Sequence, residues 1–131
     1  MADDRLIEIV RGVYEAFNRG DMEAVLAQSD PEIEIRDPDR TGRVYRGHDD
    51  FLAFVGEWME SWDTYALEVA GLTRNEDSVL ADLIQSGRGK GSGIEVAEPF
   101  HQVLTFRDDR VVRFAIYIER ADAERAAGLA A

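Results

Sequence analysis

Residues 14–21 read Tyr-Glu-Ala-Phe-Asn-Arg-Gly-Asp, and this stretch closes an amphipathic first helix with a turn. Upstream of it, apolar residues recur at spacings of three and four, which predicts a helix with one buried stripe. These residues are Leu6, Ile9, Val10, Val13 and Phe17. The helix should end near Gly20, and Asp21 suits the N-cap of a short second helix that stops before Asp30-Pro31.

A short strand follows, reading Glu-Ile-Glu-Ile-Arg-Asp over residues 32–37. Successive side chains of a strand face opposite sides, so Asp37 shares a face with Ile33 and Ile35. A carboxylate therefore points where the apolar side chains point, which makes Asp37 a candidate general base. The alternative is a strand-end residue before Pro38 that accepts hydrogen bonds from loop amides.

The rest of the chain adds one strong helical pattern and then changes period. Phe51, Phe54, Val55, Trp58, Met59 and Trp62 predict a third helix that carries both tryptophans. Four strands separated by short turns then predict an antiparallel meander, over residues 64–73, 78–86, 94–107 and 111–119. A last helix is expected over residues 122–127, before Gly128.

Helices gathered on the concave face of a curved antiparallel or mixed sheet form an α+β domain, with a natural ligand cavity between the long helix and the sheet. Phe54, Trp58 and Trp62 are expected in the wall of that cavity, where they would bind a flat, largely apolar ligand. On the long fourth strand of the chain, over residues 94–107, Glu98 shares a face with Gln102. His101 faces the other way, and a register slip of one residue would exchange it with Gln102.

Composition limits the remaining possibilities. A chain of 131 residues with 45% hydrophobic content is one domain, spanning residues 1–131. The net charge of −12 argues against nucleic-acid or membrane-surface partners. The chain has no cysteine, and its two histidines lack the spacing of a metal site, so no metal is expected. A charged N-terminal segment, Met1 to Arg5, and the lack of a long apolar run favour a cytoplasmic protein.

A family resemblance lies in the order of elements, the stretch 14–21, the pairs Asp37-Pro38 and Gly47-His48, and the run Phe106-Arg107-Asp108-Asp109-Arg110-Val111-Val112. In these features the chain resembles the SnoaL-like branch of the nuclear transport factor 2-like superfamily. The resemblance covers nearly the whole chain. It implies a cone-shaped α+β barrel with one deep apolar pocket, usually in a homodimer packed through the sheet. This fold hosts ketosteroid isomerases, polyketide cyclases, epoxide hydrolases and binders without catalysis, so it does not fix the activity.

Carried over by position, the resemblance places Asp37 where ketosteroid isomerases keep their general base. The isomerases' oxyanion-hole tyrosine falls on Val13, with Tyr14 one residue and about 100° further around the helix. Gln102 stands where their second acidic partner lies, and it can donate a hydrogen bond but cannot shuttle protons. Ile116 replaces the last-strand aspartate of the epoxide hydrolases, so that reaction is set aside.

Together these points predict a protein that binds a small apolar carbonyl compound, such as a polyketide, steroid or terpenoid. As an enzyme it would be a cofactor-independent isomerase or cyclase, in which Asp37 removes a proton and Gln102, or else Tyr14, donates a hydrogen bond to the developing oxyanion. Glu98, His101 and Ile116 are further candidates for ligand contact. The alternative is a ligand-binding or dimerisation module of the same fold without catalysis.

Overall fold

The computed structural model describes residues 5–129. Residues 1–4, most of the charged N-terminal segment considered above, lie outside this range. None of the helices within it is long and apolar enough to cross a bilayer. In chain order the elements are α1 (Arg5–Asn18), α2 (Met22–Ala27), β1 (Ser29–Asp37), β2 (Arg43–Arg46), α3 (His48–Met59), β3 (Trp62–Asn75), β4 (Ser78–Gly89), β5 (Glu95–Arg107), β6 (Arg110–Tyr117) and α4 (Arg120–Ala126).

The stretch 14–21 joins α1 to α2 and fastens both to the sheet. The side chain of Asn18 pairs with the backbone of Leu67 on β3, donating to its carbonyl at 2.8 Å and accepting from its N–H at 3.0 Å. Gly20 has a φ of 77°, a conformation that glycine adopts without strain. Asp21 caps α2 by accepting from the Ala24 N–H at 3.1 Å, as predicted.

The six strands form one mixed sheet in the order β2-β1-β6-β5-β4-β3. Strands β3 to β6 make the predicted antiparallel meander, while β1 pairs with β6 in parallel. The α+β class is confirmed. The edge strands β2 and β3 do not pair with each other, so the sheet stays open where the resemblance implied a closed barrel. Strand β2 was not predicted, because its four residues lie in a segment with strong turn signals.

The two faces of the sheet are covered differently. The main core lies between one face and α1, α2 and α3, and it includes Ile33, Ile35 and Leu104. A smaller cluster packs α4 against the opposite face through Leu80, Val103 and other residues. The expectation that all helices share one face was therefore wrong for α4.

The two tryptophans lie in different elements. Trp58 is on α3 as expected, but Trp62 begins β3, because the helix ends at Met59. The helical spacing of Trp62 continued past the real end of the helix, and the pairing of Trp62 with Gly89 of β4 decided its position. Both rings still pack around Tyr65, with centroids 6.2 and 5.0 Å away.

Candidate functional site

An apolar cavity of about 70 Å³, called the inner cavity below, lies between α1, α3 and the sheet. Its walls include Phe54, Trp58 and Ile116, all expected near a ligand. Hydroxyl and amide groups in the wall come from Tyr14, Ser29, Tyr65 and Gln102. An apolar cavity of about 150 Å³ can hold a benzene molecule, and the inner cavity has about half that volume, so it offers little room for a ring system.

Tyr14 and Gln102 meet inside this cavity. The Tyr14 hydroxyl donates a hydrogen bond to Oε1 of Gln102, and both residues are buried. Burial, with a smaller effect of Tyr65, raises the pKa of Tyr14 far above its ordinary value of 10.0. Tyr14 therefore remains a neutral donor near neutral pH, and its proton is already engaged by Gln102.

Asp37 is the most unusual polar residue of the site. Its side chain is 0% exposed at the end of β1, on the same face as Ile33 and Ile35, as predicted. Arg40 donates to Oδ2 through Nε at 3.1 Å and through Nη2 at 2.8 Å. Within residues 5–129, its Oδ1 is the one buried side-chain nitrogen or oxygen that lacks a hydrogen-bond partner. A buried acceptor without a donor is costly, and such groups are often kept for function.

Two larger cavities adjoin the inner one and meet at Arg40. The side cavity, of about 240 Å³, is lined by Asp37, Arg40 and Glu98, and shares Trp58, Phe100 and Ile116 with the inner cavity. The outer cavity, of about 400 Å³, is lined by Arg40, Glu98, Trp58, Trp62 and others. Trp58 thus borders all three.

The position of Arg40 is fixed by aromatic rings as well as by Asp37. Its guanidinium carbon lies 4.1 Å from the centre of the Trp58 ring and 5.9 Å from that of Phe54. A cation over an aromatic face gains roughly 0.5–2 kcal/mol, depending on how far it is desolvated. Its side chain is still 38% exposed, and Arg40 lines both the side and the outer cavity.

A chain of hydrogen bonds runs from the inner cavity to its rim. The Tyr65 hydroxyl donates to Oε1 of Gln85 at 2.7 Å, and Nε2 of Gln85 donates to Glu98 at 3.0 Å. Burial raises the pKa of Tyr65, so this hydroxyl also remains protonated. Glu98 itself is exposed, and it lies at the mouth of the site rather than deep inside it.

The structure places His101 away from these cavities. The register of β5 opposite β4 turns Gln102 toward the inner cavity and His101 toward the other face. There, Nδ1 of His101 lies 2.8 Å from Asp82, which also accepts from Arg120 at 2.9 Å. Burial acts to raise the pKa of Asp82, but hydrogen bonds from Arg120 and His101 outweigh it and lower the pKa. This cluster fastens α4 to the sheet.

The predicted site residues therefore divide into groups. Gln102, Tyr14, Phe54, Trp58 and Ile116 line the inner cavity, whereas Asp37 lines the adjoining side cavity. The competing interpretation of Asp37 as an acceptor of loop amides does not describe its contacts, because both side-chain hydrogen bonds come from Arg40.

Arg40 and Tyr65 were not predicted as site residues. One signal for Arg40 was available, because a carboxylate on an apolar face needs a counter-charge and Arg40 is the first cation after Asp37. Tyr65 offered none, since its strand alternates weakly. In the part of the chain described here, no group of three or more His, Asp or Glu side chains is placed to hold a metal ion.

Comparison with solved structures places this fold among known relatives. An NTF2-like protein of unknown function from Burkholderia pseudomallei K96243 has a TM-score of 0.80 and 23% identity, over 94% of this chain and 97% of that chain. TerC, co-crystallised with polyporic acid, has a TM-score of 0.79 and 18% identity, over 92% and 96%. A protein of ketosteroid isomerase-like fold from Catenulispora acidiphila DSM 44928, in complex with trimethylamine, has a TM-score of 0.76 and 17% identity, over 94% of each chain. At such identities the likeness concerns the fold alone.

The sequence itself identifies the family. No curated protein matches the chain significantly. The model of the SnoaL-like domain, in contrast, matches residues 10–114, which include α2, α3 and every strand up to the middle of β6. The order of elements agrees with the resemblance noted from the sequence. The chain therefore belongs to the SnoaL-like domain family.

Proposed function

We propose that this protein binds a small, flat, largely apolar carbonyl compound and catalyses proton transfer next to the carbonyl without a cofactor. A polyketide, a steroid or a terpenoid has this chemistry. The observation that carries the proposal is the carboxylate of Asp37, buried beside a cavity with one oxygen held by Arg40 and the other without a partner. An acceptor in this state can receive a proton from a bound carbon acid.

The volumes of the cavities support a position for such a ligand beside Asp37. Ligand pockets usually measure roughly 300–1,000 Å³, which exceeds the inner cavity several-fold. The side and outer cavities, of about 240 and 400 Å³, supply the missing space beside Asp37 and Trp58. We therefore expect the ligand to occupy the side cavity and to extend along the aromatic wall. Complexes of relatives with polyporic acid and with trimethylamine support small-molecule binding in this fold.

A binding protein without catalysis is the second candidate. It is favoured by the contact between Tyr14 and Gln102, because the hydroxyl proton that would stabilise an oxyanion is already given to the glutamine. Ile116, in the wall next to Asp37, adds no ionisable group to the site. Binding would then rest on the aromatic walls, and Asp37 would accept a hydrogen bond from a ligand hydroxyl.

Hydrogen exchange on a model ketone separates the two candidates. 2-Tetralone is a flat bicyclic ketone with acidic C–H groups beside its carbonyl, and NMR in D₂O follows their replacement by deuterium. We expect the wild type to accelerate this exchange, and Asp37→Asn to reduce the acceleration by about 10²-fold or more. Asp77→Asn, an exposed aspartate in the turn between β3 and β4, is the matched control.

Each result has a distinct meaning. Acceleration that is lost in Asp37→Asn and kept in Asp77→Asn supports proton transfer by Asp37. Binding of 2-tetralone without acceleration supports the binding protein. Neither binding nor acceleration, for this ketone and for larger polycyclic ketones, would refute both candidates.

A homodimer in the cytoplasm belongs to the same proposal. The resemblance implies packing through the sheet, and the hydrophobic side chains of Val44 and Ile118 are 54% and 56% exposed. Light scattering of the purified chain would give its mass, and a mass of one chain at micromolar concentration would refute the dimer.

A further inference from the structure

The groups expected to stabilise an oxyanion and the expected base line different cavities. Tyr14 and Gln102 line the inner cavity, whereas Asp37 lines the side cavity, which shares the walls Trp58, Phe100 and Ile116 with it. Tyr14 and Gln102 are also bonded to each other. An enolate formed by loss of a proton to Asp37 carries its negative oxygen only two bonds from the reacting carbon. The stabilising group must therefore lie close to Asp37 itself.

Arg40 meets this condition. A guanidinium has five N–H donors, and Arg40 uses Nε and Nη2 on a single oxygen of Asp37. Its Nη1 makes no hydrogen bond within residues 5–129, and Arg40 lines both the side and the outer cavity. The stack on Trp58 holds the group in place. A positive donor and a buried acceptor without a partner thus lie next to each other.

We propose that Arg40 is a catalytic residue that binds the carbonyl oxygen of the substrate and stabilises the enolate, while Asp37 takes the proton. This inference rests on the proposed function and names its substrate class more narrowly, as ketones or enols whose oxygen reaches Nη1 while the ring lies against Phe100 and Ile116. Tyr14 and Gln102 then have a structural part, filling the floor of the site.

The step balances without any co-reactant. Oδ1 of Asp37 takes a proton from the carbon beside the carbonyl, and the electron pair of that C–H bond forms the C=C bond of the enolate. The carbonyl electrons move to the oxygen, which Arg40 holds by charge and hydrogen bond. Deuterium exchange follows when the proton on Asp37 is replaced by a deuteron from D₂O before one returns to the same carbon, and return to another carbon of a conjugated enolate gives an isomer. Two other carboxylates line the side cavity, and both are exposed: Glu98 accepts from Gln85, and Asp39 accepts from the Ile118 N–H at 2.8 Å.

The test uses 2-naphthol, a stable aromatic mimic of the enol of 2-tetralone, whose ionised form has its own absorbance spectrum. The background is Asp37→Asn, which mimics the state with Asp37 protonated and leaves no buried charge when Arg40 is replaced. Arg40→Gln, Arg40→Lys and the control Arg36→Gln are compared in that background. Arg36 bonds Glu34 at 2.7 Å, outside the residues that line the three cavities.

We expect the ratio of ionised to neutral 2-naphthol to be about tenfold or more higher when it is bound to Asp37→Asn than in buffer at the same pH. The reason is that a neighbouring arginine lowers the pKa of an acid. Arg40→Gln should remove this excess, Arg40→Lys should keep part of it, and Arg36→Gln should leave it unchanged. A purely structural arginine would change affinity without changing the ionised fraction. In the otherwise wild-type chain, Arg40→Lys should slow 2-tetralone exchange more than it weakens binding.

Equal ionisation of bound naphthol before and after the Arg40→Gln change would overturn the role of Arg40. If 2-tetralone exchange still required Asp37, the proposed function would stand without it. Absence of both naphthol binding and tetralone exchange would instead refute the proposed function, and this inference with it.

Discussion

Among residues 5–129, Arg40 is the one counter-charge paired with the buried carboxylate of Asp37, and replacing Arg40 is the sharpest stability test that the structure offers. Arg40→Met removes both hydrogen bonds to Oδ2 and keeps an apolar side chain of similar length. Breaking a fully buried ion pair from one side costs about 3–5 kcal/mol, because the remaining charge is left without a partner. Here Asp37 is 0% exposed but Arg40 is 38% exposed, so water screens part of the interaction. We expect a loss of about 2–3 kcal/mol.

Asp37→Asn should behave differently. The change gives up charge-assisted hydrogen bonds worth roughly 1.5–3 kcal/mol and also removes a buried charged oxygen whose missing partner costs roughly 1–3 kcal/mol. These effects nearly cancel, so Asp37→Asn should lie within about 1 kcal/mol of the wild type. In the double variant Asp37→Asn/Arg40→Met, the Arg40→Met change no longer leaves a buried charge without a partner. The loss of stability caused by Arg40→Met should therefore be about 1.5–3 kcal/mol smaller in the Asp37→Asn background, and this difference is the coupling energy of the pair.

Urea denaturation at neutral pH, followed by circular dichroism, gives the four free energies of unfolding, with equal m-values as the condition for comparing them. The control is Arg36→Met. Its partner Glu34 keeps Arg113 at 3.8 Å and Arg46 at 4.0 Å, so the cost should stay below about 1 kcal/mol. An additive cycle, or a cost for Arg40→Met no larger than that of Arg36→Met, would refute the claim that Arg40 neutralises Asp37.

Three further predictions concern Tyr14, Glu34 and Gly87. Tyr14→Phe leaves the buried amide oxygen of Gln102 without its donor, so urea denaturation should show a loss of about 1–3 kcal/mol. Burial raises the pKa of Tyr14 above 10.0, so its contribution to the free energy of unfolding is fully present below pH 10.0 and is lost as the pH rises. Between about pH 8 and 11, the free energy of unfolding should therefore fall less steeply above pH 10.0 in Tyr14→Phe than in the wild type. An unchanged slope would contradict this. A hydrogen bond from Arg36 lowers the pKa of Glu34, so its contribution to stability is present above pH 4.5 and is lost as the pH falls below that value. Glu34→Gln should therefore reduce the fall of the thermal-unfolding midpoint at acid pH. The same fall in the variant and the wild type would count against this. Gly87→Ala places a Cβ 2.1 Å from the Thr64 carbonyl oxygen and should lower the midpoint of thermal unfolding by at least several degrees. Gly12→Ala, in α1, adds a Cβ that meets no atom outside the adjacent helix backbone within 4 Å, and should raise the midpoint slightly.

Local pattern was enough to predict much of this molecule. The spacing of apolar residues identified α1 and α3, and the stretch 14–21 marked the turn between α1 and α2. Alternation over residues 32–37 put Asp37 on the buried face of β1. These features depend on helix and strand periods and on turn chemistry, which act over a few neighbouring residues.

Features that depend on pairing between distant segments could not be predicted from local sequence pattern. The choice of Gln102 over His101 as the inward side chain is set by the register of β5 against β4 and β6. Likewise Trp62 follows the helical pattern of α3 but is held in β3 by its partner Gly89. A one-residue slip of a strand reverses every side chain on it, so only the assembled sheet decides the face.

The amino-acid sequence by itself determined the family, the α+β class and the buried position of Asp37, because each follows from short-range pattern or from motif order. Tertiary structure alone decided that Arg40, while bonded to the neighbouring Asp37, also lies across the ring of Trp58, eighteen residues further along the chain. It also decided that Tyr14 and Gln102 satisfy each other in a separate cavity. A cation on an aromatic ring and a cavity each need groups from distant segments to meet, and no local pattern in the sequence predicts which groups those are.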